Sequence, residues 1–329
     1  LDSSVGGCQH NTAIGNAALT ALAHADGDEN TAVGSGAGDA IVSGARNTTV
    51  GQGSLSAACA NDNTAVGYHA LVVNTTGTRN TSVGSYSLYD NTTGSHNTAV
   101  GYYALTNNTT ASYNTAVGHE ALRFNTTGGN NTAVGYDALG DTTTGSNNTA
   151  LGTSSLRQNT TGASNVAMGQ ASLDANTTGD QNVAIGRLAL YANTTAGNNT
   201  GVGYYALGSN TTGTRNVAIG MNALVANTTA NDNVAVGNNV LDANTTGTQN
   251  VGMGYNALGA NTTTSSNTAI GHKALESNTA NYNTGVGFEA LNDNTTGVRN
   301  AAFGNNALYQ NTTGQDNTCL LYTSPSPRD

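Results

Sequence analysis

Residues 114–130 read N-T-A-V-G-H-E-A-L-R-F-N-T-T-G-G-N, and close variants of this 17-residue phrase fill almost the whole chain. The glycine of N-T-A-V-G, here Gly118 and called the repeat glycine below, recurs in 18 copies, the first at Gly15. From Gly67 to Gly271 the repeat glycines are equally spaced, one phrase length apart. A short fixed period is typical of one supersecondary unit stacked on copies of itself. The repeat therefore predicts a single elongated array, although 329 residues would suffice for two ordinary domains.

The residue types within one repeat favour a strand-based coil. The residue before the repeat glycine is always aliphatic, Met or Phe, as at Val117, and the fourth residue after it is nearly always Leu, as at Leu122. We expect both to face a core, whereas the variable residue directly after the glycine, as at His119, faces solvent. Abundant Asn and Gly disfavour helix, and alternation around N-T-A-V-G favours a short strand. N-T-T-G reads as a second short strand or a turn.

These features together predict an all-β fold, a parallel β-solenoid or β-roll with 17 residues per coil and about 18 coils. Identical Asn and Thr side chains would then stack on themselves in ladders, as they do in other in-register β-stacks. At about 4.8 Å per coil, 18 coils would extend for roughly 85 Å.

Composition excludes several classes of function. The 9 Lys and Arg form no basic stripe for nucleic acid, and no apolar stretch approaches the roughly 20 residues that span a bilayer. The 6 His lack zinc-like spacing, and no Ser-His-Asp or paired-carboxylate arrangement stands out. We therefore expect no enzyme, no catalytic or metal-binding residue and no cofactor. Cys8 and Cys59 lie three repeats apart, too far for a disulfide.

The repeats divide the chain into three regions. Residues 1–62 are irregular N-terminal repeats, in which the repeat glycines are unequally spaced and a polar insert occupies Ala23 to Glu29. Residues 63–317 are the regular array. In residues 318–329 the pattern predicts a glycine at 321, but Cys319 to Asp329 reads C-L-L-Y-T-S-P-S-P-R-D and holds both prolines of the chain. This string resembles a translated transposase-type sequencing adapter, so we expect a non-native tail on a fragment of a longer environmental (metagenomic) gene.

The phrase N-T-A-V-G-H-E-A-L, Asn114 to Leu122, resembles the head repeats of trimeric autotransporter adhesins. Followed by A-L-x-x-N-T-T-G, it is also similar to repeats in phage and bacterial tail-fibre proteins. The resemblance covers residues 11–317, although the coil here is longer than that of adhesin heads by the N-T-T-G insert. It implies a left-handed β-roll, a homo-oligomer (trimer or fibril) and an extracellular place on a cell surface or virion. The expected function is a structural, adhesive fibre segment whose variable residues contact a host or cell-surface ligand.

An alternative function comes from the second asparagine of the repeat. Thirteen copies carry N-T-T, a formal acceptor for N-linked glycans, which would make the chain a glycan-coated structural fibril with modified Asn or Thr. The other interpretation is that these side chains satisfy turn hydrogen bonds. The candidate glycosylation residues are Asn74, Asn91, Asn108, Asn125, Asn159, Asn176, Asn193, Asn210, Asn227, Asn244, Asn261, Asn294 and Asn311.

Two further surface hypotheses involve tyrosine and threonine. Tyrosines directly after the repeat glycine are candidate surface-binding residues because Tyr is rigid and amphipathic, or they are partly exposed packing residues. They are Tyr68, Tyr102, Tyr136, Tyr204 and Tyr255. Stacked threonines allow an ice-binding solenoid as another alternative. The adjacent threonines of N-T-T would point to opposite faces of a strand, however, which disfavours ice binding at that segment.

Overall fold

The chain folds into stacked short strands. The computed structural model describes residues 10–22, 27–57 and 60–321, which contain nineteen three-residue strands at the spacing of the repeat and no helix. These residues form two compact units: unit 1 comprises the described residues up to 170 together with 176–178, and unit 2 comprises 171–175 and the described residues from 179 onward. The predicted all-β parallel solenoid is confirmed, and its left-handed sense stays a prediction.

Unit 1 contains ten strands whose neighbours pair in parallel and in register, so that Thr98 lies opposite Thr115 and Val100 opposite Val117. The strands are β1 Thr12–Ile14, β2 Thr31–Val33, β3 Thr48–Val50, β4 Thr64–Val66, β5 Thr81–Val83, β6 Thr98–Val100, β7 Thr115–Val117, β8 Thr132–Val134, β9 Thr149–Leu151 and β10 Val166–Met168.

Unit 2 repeats this arrangement with nine strands, and Val217 lies opposite Val234 in the same register. The strands are β11 Val183–Ile185, β12 Thr200–Val202, β13 Val217–Ile219, β14 Val234–Val236, β15 Val251–Met253, β16 Thr268–Ile270, β17 Thr284–Val286, β18 Ala301–Phe303 and β19 Thr318–Leu320.

The irregular repeats join the stack. Strands β1 to β4 pair in the common register, so the unequal steps between their glycines are absorbed outside the strands. Residues 23–26 of the polar insert, together with Cys8 and Cys59, lie outside the described residues. At the other end, Thr318–Leu320 pairs with β18, Cys319 is a free thiol, and residues 322–329 of the suspected tail again lie outside the described part.

Each coil contains one strand, and the N-T-T-G segment is a turn rather than a second strand. Hydrogen bonds between coils nevertheless continue around the turns. The Leu122 amide donates to the Ala138 carbonyl at 3.0 Å, and the Thr126 amide donates to Thr143 at 2.9 Å. Backbone groups of the turns are therefore satisfied by the neighbouring coil, as buried polar groups require.

The core is narrower than the sequence predicts. Ala116, the middle residue of β7, is fully buried together with Ala121 and Leu122, whereas Val117 is only half-buried. Elsewhere the residue before the repeat glycine is clearly exposed, as at Leu151 (47%). The expectation that this residue faces the core is therefore wrong. Successive side chains of a strand point to opposite faces. The middle residue, alanine in most coils, points into the interior, so the larger first and third residues point outward.

Positive φ angles close each coil. Leu122 has a φ of 51°, in the left-handed region, which costs a residue with a Cβ about 1–2 kcal/mol. Burial of the leucine side chain contributes about 1.5–3 kcal/mol and offsets that strain. The repeat glycines have larger values, and a Cβ at Gly203 (φ +132°) would lie 2.6 Å from the Gly220 carbonyl oxygen. Close backbone approach and φ together require glycine there.

Candidate functional surfaces

The first asparagine of each repeat holds neighbouring coils together. The Asn114 side chain is fully buried, and its Nδ2 donates to the Gly128 carbonyl at 3.0 Å, which ties the start of the coil to its end. Its backbone amide donates to Oδ1 of Asn97 in the preceding coil at 3.0 Å. The same pattern recurs along both units, so the predicted asparagine ladder is present.

The second asparagine, the candidate glycan acceptor, forms another buried ladder. Nδ2 of Asn108 donates to Oδ1 of Asn91 at 2.7 Å and to the Ala111 carbonyl at 3.0 Å, so both its protons are engaged. Among the thirteen acceptors only Asn311 is partly accessible, and the other twelve side chains are fully buried. The folded coil therefore does not present these Nδ2 atoms to solvent. Glycosylation itself stays a prediction.

One coil interrupts this second ladder. Thr142 occupies the asparagine position, and its buried hydroxyl has no hydrogen-bond partner. Oδ1 of Asn125, which an asparagine at 142 would reach, is likewise buried and unpartnered. A buried polar atom without a partner costs about 1–3 kcal/mol. The coil at Thr142 is thus a local defect in the second ladder.

The two threonines of N-T-T behave differently. The hydroxyl of Thr109 donates to the Thr126 carbonyl of the next coil at 3.1 Å, and this bond recurs in most repeats. The second threonine, as at Thr110 and Thr127, is exposed. The turn therefore presents one row of accessible hydroxyls, while the other row is used within the stack.

The five candidate tyrosines are all exposed, with exposed fractions from 40% at Tyr68 to 54% at Tyr136. In unit 1 they belong to a larger aromatic cluster. Ring contacts run from Tyr68 through Tyr86 (5.4 Å between ring centroids) to Tyr103 (5.1 Å) and Tyr102 (4.3 Å). The contacts continue to His119 and Tyr136.

This clustering was missed from the sequence because Tyr86 and Tyr103 stand two residues after the glycine rather than one. In unit 2, Tyr255 stacks on His272 at 5.5 Å, and Tyr204 lies under the Arg187 guanidinium at 5.7 Å. Stacked pairs such as Tyr86–Tyr103 and Tyr255–His272 engage ring faces. A hydrogen bond with Tyr103 raises the pKa of Tyr102 above the ordinary value of a phenol.

The outward face of the strands is uncharged over most of its length. We call the first and third residues of each strand the strand face. In β2 to β8 every strand has Thr first and Val third, whereas β13 to β15 have Val first and Ile, Val or Met third. Ile219 and Met253 are 41% and 40% exposed. Strands β2 to β8 of unit 1 thus display mixed hydroxyl and methyl groups, and β13 to β15 of unit 2 display aliphatic groups alone.

Charged groups pair between adjacent coils. Nε of Arg46, Arg215 and Arg299 lies 2.6, 2.7 and 2.5 Å from the carboxylates of Asp62, Asp232 and Asp316. The hydrogen bond from each arginine lowers the pKa of its aspartate. All three pairs are exposed to solvent and so contribute little to stability.

Two partly buried carboxylates show the opposite pKa shift, and a third combines both effects. Burial raises the pKa of Asp90 and of Asp242. At Glu276 burial opposes ionisation, but hydrogen bonds from Asn292, Lys273 and Asn256 outweigh it and lower the pKa. The Glu276 carboxylate therefore accepts hydrogen bonds from all three side chains and links them.

Within residues 10–22, 27–57 and 60–321, no three His, Cys, Asp or Glu side chains are grouped so that they could hold a metal ion. The same residues include no helix of the length and apolar character that crosses a bilayer. No protein-family model matches the chain, and no curated protein matches it significantly.

Proposed function

We propose that this chain is a non-catalytic structural segment of an extracellular fibre, at a cell surface or on a virion. The observation that carries the proposal is the coil-to-coil bonding: backbone amides and two buried asparagine ladders connect each coil to the next within each unit. Such a stack gains stability by extension and by lateral packing. The resemblance to adhesin and tail-fibre repeats supports the same interpretation.

The aliphatic strand face of unit 2 supports self-association. Val217 and Ile219 in β13 and Val234 and Val236 in β14 stand side by side, outward and without charge. Contiguous apolar surface of this kind is typical of protein interfaces. We propose that this face packs against further copies of the chain, as a trimer or a fibril.

An adhesive role fits the exposed aromatic residues after the repeat glycines. Tyr102 and Tyr136 share their cluster with His119, and this combination of rigid rings and polar edges suits contact with a host or cell-surface ligand. Binding of such a ligand to the isolated chain, and its loss on replacement of Tyr102 and Tyr136 by serine, would test the adhesive part separately.

Self-association is tested by sedimentation of the full chain over a range of concentrations. We expect the wild type to form a concentration-dependent oligomer and the double variant Ile219→Asp, Val236→Asp to sediment as a monomer. The matched control is Thr212→Asp, Thr229→Asp, on the exposed turn row of the same unit, and it should associate as the wild type does. A wild type that stays monomeric at every concentration refutes self-association.

The glycan-coated alternative is tested by mass. Peptides that contain Asn108 or Asn125 from natively produced protein would carry extra mass if the acceptors are used. Because Nδ2 of both residues is buried and hydrogen-bonded, we expect unmodified asparagine in these peptides.

A further inference from the structure

We propose that the strand face of β2 to β8 in unit 1 binds the surface of ice. Seven successive strands place threonine first and valine third, and we call these residues the threonine–valine face. They are Thr31, Thr48, Thr64, Thr81, Thr98, Thr115 and Thr132, with Val33, Val50, Val66, Val83, Val100, Val117 and Val134. The proposal concerns a different surface from the N-T-T turn and does not depend on the fibre function.

The first argument is geometric. All seven strands pair in register, so the threonines form one row and the valines a second row parallel to it. Neighbouring strands lie about 4.8 Å apart, and alternate residues of one strand about 6.6 Å apart. The face is therefore a two-dimensional lattice. The oxygen atoms of an ice surface also form a two-dimensional lattice on this scale.

The second argument is rigidity. The middle residue of each strand is fully buried, as at Ala99 and Ala116, and the preceding asparagines Asn97 and Asn114 are held in the buried ladder. The lattice spacing is thus fixed before any ligand arrives. A preordered surface loses little conformational entropy when it binds.

The third argument is the state of the hydroxyl groups. Within the described ranges no hydrogen bond engages the side chains of the seven threonines, and each is half-exposed or exposed. Each hydroxyl can donate one hydrogen bond and accept others, and the adjacent methyl groups border the same water. The face carries no charged residue.

The same hydroxyls argue against a protein occupant. Burial of a hydroxyl without a partner costs about 1–3 kcal/mol, and a dry interface would bury a row of seven. In β13 to β15 of unit 2 the row is valine and that cost disappears. The turn row at Thr110 and Thr127 offers a single line of exposed hydroxyls, because the adjacent threonines donate within the stack.

The test uses the full wild-type chain in dilute buffer, with partition into slowly growing ice and thermal hysteresis as readouts. We expect the wild type to concentrate in the ice fraction and to depress the freezing point below the melting point. The double variant Thr98→Tyr, Thr115→Tyr should lose about tenfold in ice partition, since about 1.4 kcal/mol of lost contact corresponds to that factor. The control is Thr110→Tyr, Thr127→Tyr on the turn row, which should match the wild type.

A second variant distinguishes loss of ice binding from loss of folding. Thr98→Val, Thr115→Val introduces the residue that β13 and β14 carry at this position, so we expect it to fold, with ice partition reduced. Circular dichroism and sedimentation verify the fold of each protein. A folded wild type that is excluded from ice overturns the proposal. So does equal loss in the face and turn variants, or a wild-type oligomer that dissociates only when the threonine–valine face is changed.

Discussion

The repeat glycine provides the sharpest test of the stacked coil. Gly203→Ala would place a Cβ at 2.6 Å from the Gly220 carbonyl oxygen and 2.7 Å from its carbonyl carbon. Real Cβ atoms do not approach backbone this closely, so the two coils must move apart. Alanine would also have to adopt a φ of about +132°. A residue in such a glycine-only region costs about 1–3 kcal/mol.

The loss of stability in Gly203→Ala combines the separation of the two coils with the backbone strain. Separation of the coils weakens neighbouring hydrogen bonds, such as Gly203 N to Ile185 O (2.7 Å) and Gly220 N to Val202 O (2.8 Å). Each contributes about 1 kcal/mol net. With the backbone strain, we expect Gly203→Ala to destabilise the coils around it by about 3–5 kcal/mol.

The matched control lies in the same coil. A Cβ at Gly213 would lie even closer to a carbonyl oxygen of the next coil, that of Ala230, so the two glycines differ in backbone conformation and not in proximity: the φ of Gly213 is not in the left-handed region. Alanine already occupies this position in the two adjacent coils, at Ala196 and Ala230. Gly213→Ala should therefore cost less than about 1 kcal/mol.

Hydrogen exchange read by mass spectrometry distinguishes the two variants. Gly203→Ala should increase exchange of peptides that cover Gly203 and Gly220, while Gly213→Ala should leave them as in the wild type. Stability in a stacked array is approximately a sum over coils and their interfaces, so the effect should decay with distance from the substitution. Equal protection in both variants would refute the argument that the φ of Gly203 requires glycine.

Four further variants test other parts of the coil, and the last two should have opposite effects on stability. Thr142→Asn should stabilise the fold by about 1–2 kcal/mol in urea unfolding, because it restores a partner to Asn125 Oδ1; an unchanged midpoint would contradict the ladder defect. Ser164→Asn should increase the free energy of unfolding by about 0.5 kcal/mol, seen as a slightly higher melting temperature. Ser164 has a φ of 59°, and asparagine tolerates this left-handed region better than serine does. Asp90→Asn should stabilise at pH 7 and not at pH 3, because burial raises the folded-state pKa and the stability associated with this group is lost as pH rises through it. Asp232→Asn should instead destabilise the fold at pH 7. The Arg215 contact lowers the pKa of Asp232, so the ion pair stabilises the folded state at pH values above the ordinary pKa of 3.8, and this stabilisation is lost as the pH falls through the lower folded-state pKa.

The periodic features of the fold follow directly from the sequence. One strand per repeat, the parallel register and the stacked asparagines are all consequences of identical residues at identical intervals. Even the irregular steps before Gly67 leave the strand register unchanged, since β1 to β4 begin with threonine in the same phrase.

The orientation of the strand was harder to predict. Val117 and Ala116 are both restricted to certain residue types, and larger apolar residues are usually the buried ones. The interior accommodates only a small residue at position 116, because Leu122 fills the remaining space. Leu122 does so from a left-handed backbone conformation, which the periodicity of the sequence does not reveal. For the acceptor asparagines the sequence left two interpretations open, glycan attachment and turn hydrogen bonds. The near invariance of these asparagines, with Thr142 as the exception among the N-T-T-like copies, was the available signal of their burial.

The second asparagine ladder also has a direction. Asn91 donates to Asn74, Asn108 to Asn91 and Asn125 to Asn108, always from the later coil to the earlier one. The side-chain amide dipoles therefore add along the stack, as peptide dipoles do in an α-helix. Polarisation along such a chain strengthens each bond beyond its isolated value. The low-numbered end of a ladder is electropositive and the high-numbered end electronegative, so an anion and a cation would prefer opposite ends.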